Sequence, residues 1–498
     1  MAIKKYIADA DTTITNAYKA NLTERGVSGN MGQSDILETF SIYAQQSTAS
    51  SELERILIKF PVTGTTSEYI SYDREQGSIP ASGSVSFYLR MFNAKHSQTT
   101  PKNFNLIVSA VSRSWAEGNG LDMEDYSDED VANWLSGNIS ASVSDDGSWT
   151  TDGGDYLTDT SSSFTASFDT GFEDMELDIT PLVEQWINSD GNVLGTKSNY
   201  GVGVHLSSVV EDATTSYYTK KFFARGSQYF FYRPCIEARW DSSKKDDRGS
   251  FYYSSSLAPA DDNLNTLYVY NYVRGQLKNI PAVGTGNILV SLYSGSSDNT
   301  EPSGSKLVLS DEEANATGSY VSTGIYSCSL AFTGSTSLTK VFDVWHSGGV
   351  EYFTGTIEPE SLTQYWSGQS TNPNKQFVSH IINLKPSYSV QNTNARFRLY
   401  TRKKDWSPTI YTVSSNEAPV DLVEDVYYKV YRVNDDLEVI SYGTGSDNHT
   451  RLSFDASGSY FDLDMSLLEV DNVYAVKFVY YLNSQYVEQS ETFKFRVE

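Results

Sequence analysis

The segment Ser84–Phe92 reads Ser-Val-Ser-Phe-Tyr-Leu-Arg-Met-Phe and alternates apolar with polar or amphipathic side chains. Val85, Phe87, Leu89 and Met91 fall on one face of this segment. A period of two places one face of a strand in a core and the other in water, which is typical of antiparallel sheets. The segment therefore predicts a half-buried strand of a β-sandwich.

The same alternation recurs along the 498-residue chain, at Ile288–Leu292, Arg396–Leu399 and Phe493–Glu498. Tyrosine is abundant, with 35 residues, and it favours strands because its ring packs while its hydroxyl stays wet. The pattern and the composition together predict an all-β protein.

Helix signals are few. In the segment Thr180–Ile187, Thr180 suits an N-cap, Pro181 suits the first turn, and Asp190-Gly191 suits the end. Its apolar side chains at helical spacing would cover one end of a sandwich: Leu182, Val183, Trp186 and Ile187. We predict a second short helix near Val131–Leu135.

The length predicts about three domains. Two polar stretches, Asp241–Asn263 and Glu358–Lys375, mark the boundaries. We predict a large N-terminal sandwich over residues 1–242, and two sandwiches of immunoglobulin-like size over residues 243–361 and 362–498. The last two pieces open and close on similar strands, which indicates a duplication.

The formal net charge is −26, so the chain should repel nucleic acid and anionic membranes. The short basic run Arg402–Lys404 is expected to be a solvated strand end. No apolar run reaches the ~20 residues of a membrane helix, and the first lysines are not followed by the apolar segment of a signal peptide. We expect no membrane insertion, and two unpaired cysteines, Cys235 and Cys328, in different domains.

The five histidines and two cysteines form no zinc-binding spacing, and no nucleophile elbow or phosphate loop is present in the sequence. His205 is expected to be a half-buried strand histidine. We therefore expect a protein that is not an enzyme, and we assign no catalytic, cofactor or metal residue.

An acidic segment offers hard oxygen ligands for calcium: Asp122, Glu124, Asp125, Asp128, Glu129, Asp130, Asp145, Asp146, Asp152 and Asp155. Its spacing does not match an EF-hand loop. Two interpretations stay open, a calcium site and a solvated acidic loop.

Aromatic clusters are the other candidates for a ligand-binding surface. Trp115, Trp134 and Trp149 lie in or beside one long loop, and Tyr217-Tyr218 and Tyr229–Tyr232 follow later. Such rings could stack on sugars or anchor a protein interface, or they could simply pack in a core. The ligand-binding residues stay unknown at this point.

Six short motifs in the first 240 residues resemble those of the DNRLRE-type β-sandwich. They are Ala8–Ile14, Arg55–Phe60, Val85–Phe92, Trp115–Gly118, Asp178–Thr180 followed by Trp186, and Tyr200–Val204. The resemblance implies a jelly-roll-like sandwich in the N-terminal half. The chain departs from the family between Leu121 and Asp155, which is longer and more acidic.

The whole architecture, a jelly roll followed by tyrosine-rich immunoglobulin-like domains, resembles virion proteins of tailed phages. The resemblance implies a non-enzymatic neck, collar, tail or capsid-decorating protein, made in the host cytoplasm and placed symmetrically among other virion proteins. The alternative is a carbohydrate-binding adsorption or polysaccharide-binding protein that takes a host-surface glycan.

Overall fold

The fold is given by a computed structural model. It describes residues 2–46, 50–127, 131–138, 147–188, 193–256, 259–295, 302, 304–307, 309, 315–333, 338–361, 377–404, 406–410, 420–482 and 484–498. The chain divides into two compact units. The first unit holds Ala2–Asp241 and Gly445–His449, and the second unit holds Ser242–Thr444 and Thr450–Glu498.

Where it is described, the first unit is built from strands, with three short α-helices and one 3-10 turn at Phe230–Tyr232. The strands are β1 Ile3–Ile7, β2 Ala10–Thr15, β3 Gly29–Asn30, β4 Ile36–Tyr43, β5 Ser51–Lys59, β6 Ser86–Met91, β7 Phe104–Ala110, β8 Asp122–Ser127, β9 Ser163–Phe168, β10 Met175–Asp178, β11 Val202–Leu206, β12 Tyr217–Phe223 and β13 Cys235–Arg239. The helices are α1 Ile70–Glu75, α2 Thr180–Ile187 and α3 Ser208–Glu211.

In the described part of this unit, β3 pairs with β8 in a small two-stranded sheet, and two large antiparallel sheets form the sandwich. One has the order β1-β13-β6-β10, and the other has the order β12-β4-β5-β11-β7-β9 with β2 also paired to β5. Their apolar faces meet in one core that includes Phe87 and Leu89 of β6, Ile56 and Ile58 of β5, and Leu182 of α2. The alternation at Ser84–Phe92 is thus confirmed, because Val85, Phe87, Leu89 and Met91 are all buried.

Helix α2 is confirmed, and Leu182, Val183 and Trp186 are buried, with Ile187 partly buried against the same core. The capping prediction is wrong. Ile179 occupies the N-cap position, and the Thr180 hydroxyl instead accepts a hydrogen bond from the Phe87 amide at 2.8 Å. The predicted end at Asp190-Gly191 lies outside the described residues.

The second unit contains twenty strands and three 3-10 turns among its described residues, the turns being Asp247–Gly249, Asp261–Asn263 and Met465–Leu467. The strands are β14 Tyr252–Tyr253, β15 Leu264–Tyr270, β16 Tyr272–Val273, β17 Gln276–Leu277, β18 Ile288–Gly295, β19 Ala316–Ser322, β20 Ile325–Ala331, β21 Lys340–Ser347, β22 Val350–Ile357, β23 Glu360–Ser361, β24 Phe377–Ile381, β25 Ser387–Tyr388, β26 Ala395–Lys403, β27 Val426–Arg432, β28 Leu437–Ile440, β29 Ser453–Asp455, β30 Gly458–Leu463, β31 Val473–Leu482, β32 Gln485–Glu488 and β33 Phe493–Val497.

A six-stranded sheet of order β15-β20-β19-β18-β21-β22 encloses one core of this unit, with Tyr326 and Trp345 among its buried side chains. Two further sheets, β24-β26-β30-β29 and β25-β33-β31-β27-β28, pack face to face. Rings from both sheets meet there: Phe461 of β30 lies 4.2 Å from Tyr428 of β27 and 6.0 Å from Phe478 of β31, centroid to centroid.

The predicted all-β fold of sandwich domains is confirmed. The division between the units falls after Asp241, whereas most of Glu358–Lys375 lies outside the described residues, so the three-domain boundaries and the duplication stay predictions. Cys235 and Cys328 are free and buried, one in each unit, as expected. No helix in the described part of the chain is long and apolar enough to cross a membrane.

The predicted helix at Val131–Leu135 is wrong. The Asn133 side chain accepts hydrogen bonds from the amides of Leu135 and Ser136, and the Trp134 amide donates to Val27. An asparagine side chain competes with the helical hydrogen bonds in this way, so an irregular turn forms instead.

Candidate interaction surface

In the described part of the acidic segment, two aspartate side chains accept hydrogen bonds from nearby backbone amides. Asp122 accepts hydrogen bonds from the amides of Glu124 and Asp125, at 2.8 and 2.9 Å, and Asp155 accepts from the amides at 150 and 151. No group of three or more metal-ligating side chains occurs among the described residues. Asp128, Glu129, Asp130, Asp145 and Asp146 lie outside them, so calcium binding stays a hypothesis, to be tested by thermal melting with calcium or EDTA.

The three loop tryptophans pack against the protein. Trp134 and Trp149 are each 5% exposed and cover Leu57 on the outer face of the larger sheet of the first unit. Trp115 is half-buried, and its indole nitrogen donates to the Tyr200 carbonyl at 2.7 Å. These side chains form a second small core, so they offer no open platform for a sugar.

Two residues of the N-terminal motifs, Asp11 and Glu117, meet Arg225 in one charged junction. Glu117 accepts two hydrogen bonds from the Arg225 guanidinium, both at 2.5 Å, and one from the Asp11 amide at 2.8 Å. Asp11 is 1% exposed and accepts from the Arg225 amide at 2.6 Å. Burial raises the pKa of Asp11 to about 7. The junction joins β2 to two later loops.

The basic run near Arg402–Lys404 is largely paired. Lys403 forms an ion pair with Asp421, and the Arg402 guanidinium lies 5.9 Å from the Trp406 ring centroid. These contacts fit the expected solvated strand end. His205 lies half-buried on β11, as expected, with its ring 5.0 Å from that of Tyr156.

The first unit carries a surface aromatic cluster, which we call the Tyr229 cluster: Phe92, Phe223, Tyr229 and Tyr232. The Tyr232 ring stacks on Phe223 at 5.2 Å, and Tyr229 packs edge-on against Phe223 at 5.4 Å. Tyr229 is 50% exposed, although its ring is held on one side. The segment Tyr229–Tyr232 singled out in the sequence therefore lies at the surface, whereas the loop tryptophans do not.

The second unit carries another apolar surface, formed where β31 turns back into β32. Tyr481 and Tyr486 face each other across the two strands, with ring centroids 4.8 Å apart, and they are 39% and 50% exposed. Val487, the next residue on β32, is 43% exposed but pairs with Tyr480 and points to the opposite face. We call the pair Tyr481 and Tyr486 the hairpin surface. Behind it, the buried Tyr427 supports the Tyr486 ring edge-on at 6.0 Å.

A charged rim borders the hairpin surface. The Glu488 carboxylate accepts from Lys429 and Lys477, each at 3.0 Å, and from the Tyr442 hydroxyl at 3.1 Å. These hydrogen bonds outweigh the effect of partial burial and lower the pKa of Glu488. A supported apolar centre with a paired polar rim is the arrangement found in protein–protein interfaces.

The sequence did not single out this hairpin. The signal was present as Tyr-Tyr-Leu-Asn-Ser-Gln-Tyr over 480–486, two strand-forming runs around a polar turn. Ser484 adopts a positive φ of 62° at that turn. Alternation alone could not show that Tyr480 is fully buried while Tyr481 is exposed.

No protein-family model and no curated protein matches the chain. It is similar to the solved structure of DIP-gamma IG1+IG2, at 9% identity and a TM-score of 0.12, over 47% of this chain and 89% of that one. A complex of Dpr2 Ig1-Ig2 with DIP-Theta Ig1-Ig3 is similar at 8% identity and a TM-score of 0.13, over 47% and 90%. A Ca2+-stabilized, ice-binding adhesin of an Antarctic bacterium is similar at 8% identity and a TM-score of 0.14, over 99% and 100%.

Proposed function

We propose that this chain is a non-enzymatic structural protein of a tailed-phage particle, a neck, collar, tail or capsid-decorating component that joins neighbouring protein subunits. The hairpin surface is the observation that supports the proposal most directly. Its two exposed tyrosines lie on an edge hairpin, and buried Tyr427 and the paired charges of Glu488 hold them in place. The proposal includes synthesis in the host cytoplasm and final placement in the virion.

The partner is another protein subunit of the particle. Tyrosine gives a large contact area at little cost in side-chain entropy, because only two side-chain torsions are fixed on binding. The net charge of −26 would steer the chain towards a basic partner surface. Symmetric placement around the particle would repeat one contact many times, so each contact need not be strong.

Mass spectrometry of density-banded particles from the source of the sequence tests the proposal. We expect the chain at a constant copy number relative to the major capsid protein. About a dozen copies would indicate a neck or tail ring, and hundreds would indicate the capsid or the tail shaft. Presence in the lysate with absence from the particles would overturn the proposal.

A second candidate function is carbohydrate binding at a host surface. The Tyr229 cluster favours it, because Tyr229 leaves half of its surface exposed beside two further rings. The buried loop tryptophans do not favour it. A glycan array separates the two candidates, with Tyr229→Ala expected to abolish any binding.

Tyr218→Ala is the matched control for that array, because Tyr218 is 49% exposed on β12. Glycan binding that survives Tyr229→Ala would exclude this cluster as the sugar site. No binding by the wild-type chain would remove the second candidate.

A further inference from the structure

Lys220 is buried inside the sandwich of the first unit. It lies on β12 and is 1% exposed, whereas the next residue, Lys221, points outward and pairs with Glu38 at 3.0 Å. A lysine is rarely fully buried without a carboxylate partner. In the described part of the chain, no carboxylate oxygen lies within ion-pair distance of the Lys220 amine.

Three acceptors and two rings hold this amine. Its Nζ donates to the Asn93 side-chain oxygen at 2.7 Å, and to the carbonyls of residues 171 and 173 at 3.0 and 2.8 Å. The same nitrogen lies 5.1 Å from the centroid of the Phe168 ring and 4.7 Å from that of Phe222. The amine therefore contacts one side-chain amide and two backbone carbonyls, beside two aromatic rings.

The backbone keeps the two side chains together. The amide of Ala94 donates to the carbonyl of Lys221 at 3.0 Å, and the amide of Phe223 donates to the carbonyl of Phe92 at 3.0 Å. A carbonyl bond is about 1.23 Å long, so the amide carbon of Asn93 lies within about 4 Å of the Lys220 Nζ.

The site also supplies a usable nucleophile. An Asp174 carboxylate oxygen accepts a hydrogen bond from the backbone amide of Asn93 at 2.8 Å, which helps to fix the residue that would be attacked. Burial lowers the pKa of Lys220 to about 8, so about a tenth of the amine is neutral at pH 7. A lysine amine becomes nucleophilic when it is desolvated in this way.

We propose that Lys220 and Asn93 join through an intramolecular isopeptide bond that forms after folding. The neutral Nζ of Lys220 attacks the side-chain carbonyl carbon of Asn93, and a new carbon–nitrogen bond forms. One proton passes from Nζ to the side-chain nitrogen of Asn93, the bond from the carbon to that nitrogen breaks, and the nitrogen leaves as ammonia. No oxidant or further reactant is required.

This bond would tie the two sheets of the sandwich together. Asn93 follows β6 of the smaller sheet, and Lys220 belongs to β12 at the edge of the larger sheet. The two residues are 127 positions apart in the chain, so the bond would close a long loop. The inference goes beyond the proposed function, because a covalent tie stabilises this unit whatever the unit binds.

The intact mass of the purified full-length chain under denaturing conditions tests the bond. We expect a mass lower than that of the sequence by one ammonia, about 17 Da. Tandem mass spectrometry of a digest should find one branched peptide that joins Asn93 to Lys220. A wild-type chain with the full sequence mass would overturn the proposal, as would a branch at any other pair.

Two lysine variants test which amine forms the bond. Lys220→Arg keeps a positive charge but removes the amine, so its mass should be the full sequence mass of that variant. Lys221→Arg on the same strand should still lose about 17 Da. Loss of ammonia from both variants would indicate a cyclised asparagine elsewhere and would contradict the proposal.

Discussion

Arg248 and Asp343 form a bidentate ion pair inside the second unit. Both terminal nitrogens of Arg248 donate to the carboxylate of Asp343, one of them at 2.7 Å, and the Trp345 indole donates to the same carboxylate at 2.8 Å. Asp343 is fully buried on β21. The pair fastens the segment just before β14 to the six-stranded sheet.

Arg248→Ala should destabilise the second unit by about 3–5 kcal/mol, because it leaves the Asp343 carboxylate buried without its cation. Arg396→Ala is the matched control, since Arg396 makes the same kind of pair with Asp462 but its side chain is 44% exposed. The control should cost about 1 kcal/mol or less. Urea unfolding measures both, and equal losses would show that burial does not set the strength of the first pair.

Replacement of the hairpin surface should separate binding from folding. The change Tyr486→Ser should alter the free energy of unfolding by about 1 kcal/mol or less, because this side chain is half-exposed. Binding of the purified chain to particles assembled without it should fall about tenfold or more. Tyr272→Ser, at a position 58% exposed on β16, is the control, and equal binding by both variants would exclude the hairpin as the contact.

The charged junction should make stability depend on pH. The folded-state pKa of Asp11 is about 7, above its ordinary value of 3.8, so the folded chain holds this proton more tightly than the unfolded chain. Stability from this group is therefore complete below about pH 4 and is lost as the pH rises through about 7. Asp11→Asn should remove that loss, which amounts to at most about 4 kcal/mol.

Urea unfolding of wild type and Asp11→Asn at about pH 4 and about pH 8 measures the effect. The variant should gain stability relative to wild type only at the higher pH. Asp152→Asn, at an exposed position, should follow wild type at both values. A constant difference between Asp11→Asn and wild type would show that Asp11 ionises without penalty in the fold.

Gly201 should not tolerate a side chain. It adopts a φ of +80°, and a Cβ atom there would lie 2.2 Å from the Ile58 carbonyl oxygen on β5. Gly77 has a φ of +70°, and a Cβ atom there would have nothing within 4 Å. Its replacement therefore measures only the free-energy cost of the backbone conformation. Gly77→Ala should cost about 1–2 kcal/mol and Gly201→Ala about 3 kcal/mol or more, by urea unfolding. Equal costs would show that β5 shifts to make room.

Side-chain alternation was enough to predict the strands and the sandwich class. At Ser84–Phe92 it also predicted the buried face correctly, because burial of one face is the physical cause of the pattern. Local capping rules did less well. The Thr180 hydroxyl accepts from the Phe87 amide, a contact distant in sequence that a capping rule cannot anticipate. In the segment Val131–Leu135, the Asn133 side chain accepts from the Leu135 amide and forms a turn in place of a helix.

The candidate surfaces could not be located from the sequence. The loop tryptophans look like an exposed platform until Leu57 and its neighbours are seen to lie beneath them. Lys220 and Lys221 are adjacent and identical, yet only the first is buried. Which face of a strand a residue occupies depends on strand order, and strand order is set by contacts across more than a hundred residues.

Two short parallel pairs give the second unit a mechanical property. Tyr252-Tyr253 of β14 runs alongside Glu360-Ser361 of β23, and Ser387-Tyr388 of β25 runs alongside Arg496-Val497 of β33. In each pair an early strand and a late strand point the same way, so tension along the chain would pull the two strands in opposite directions along their length. The hydrogen bonds between the two strands would then be loaded in shear. They would resist the pull together and would not break one after another.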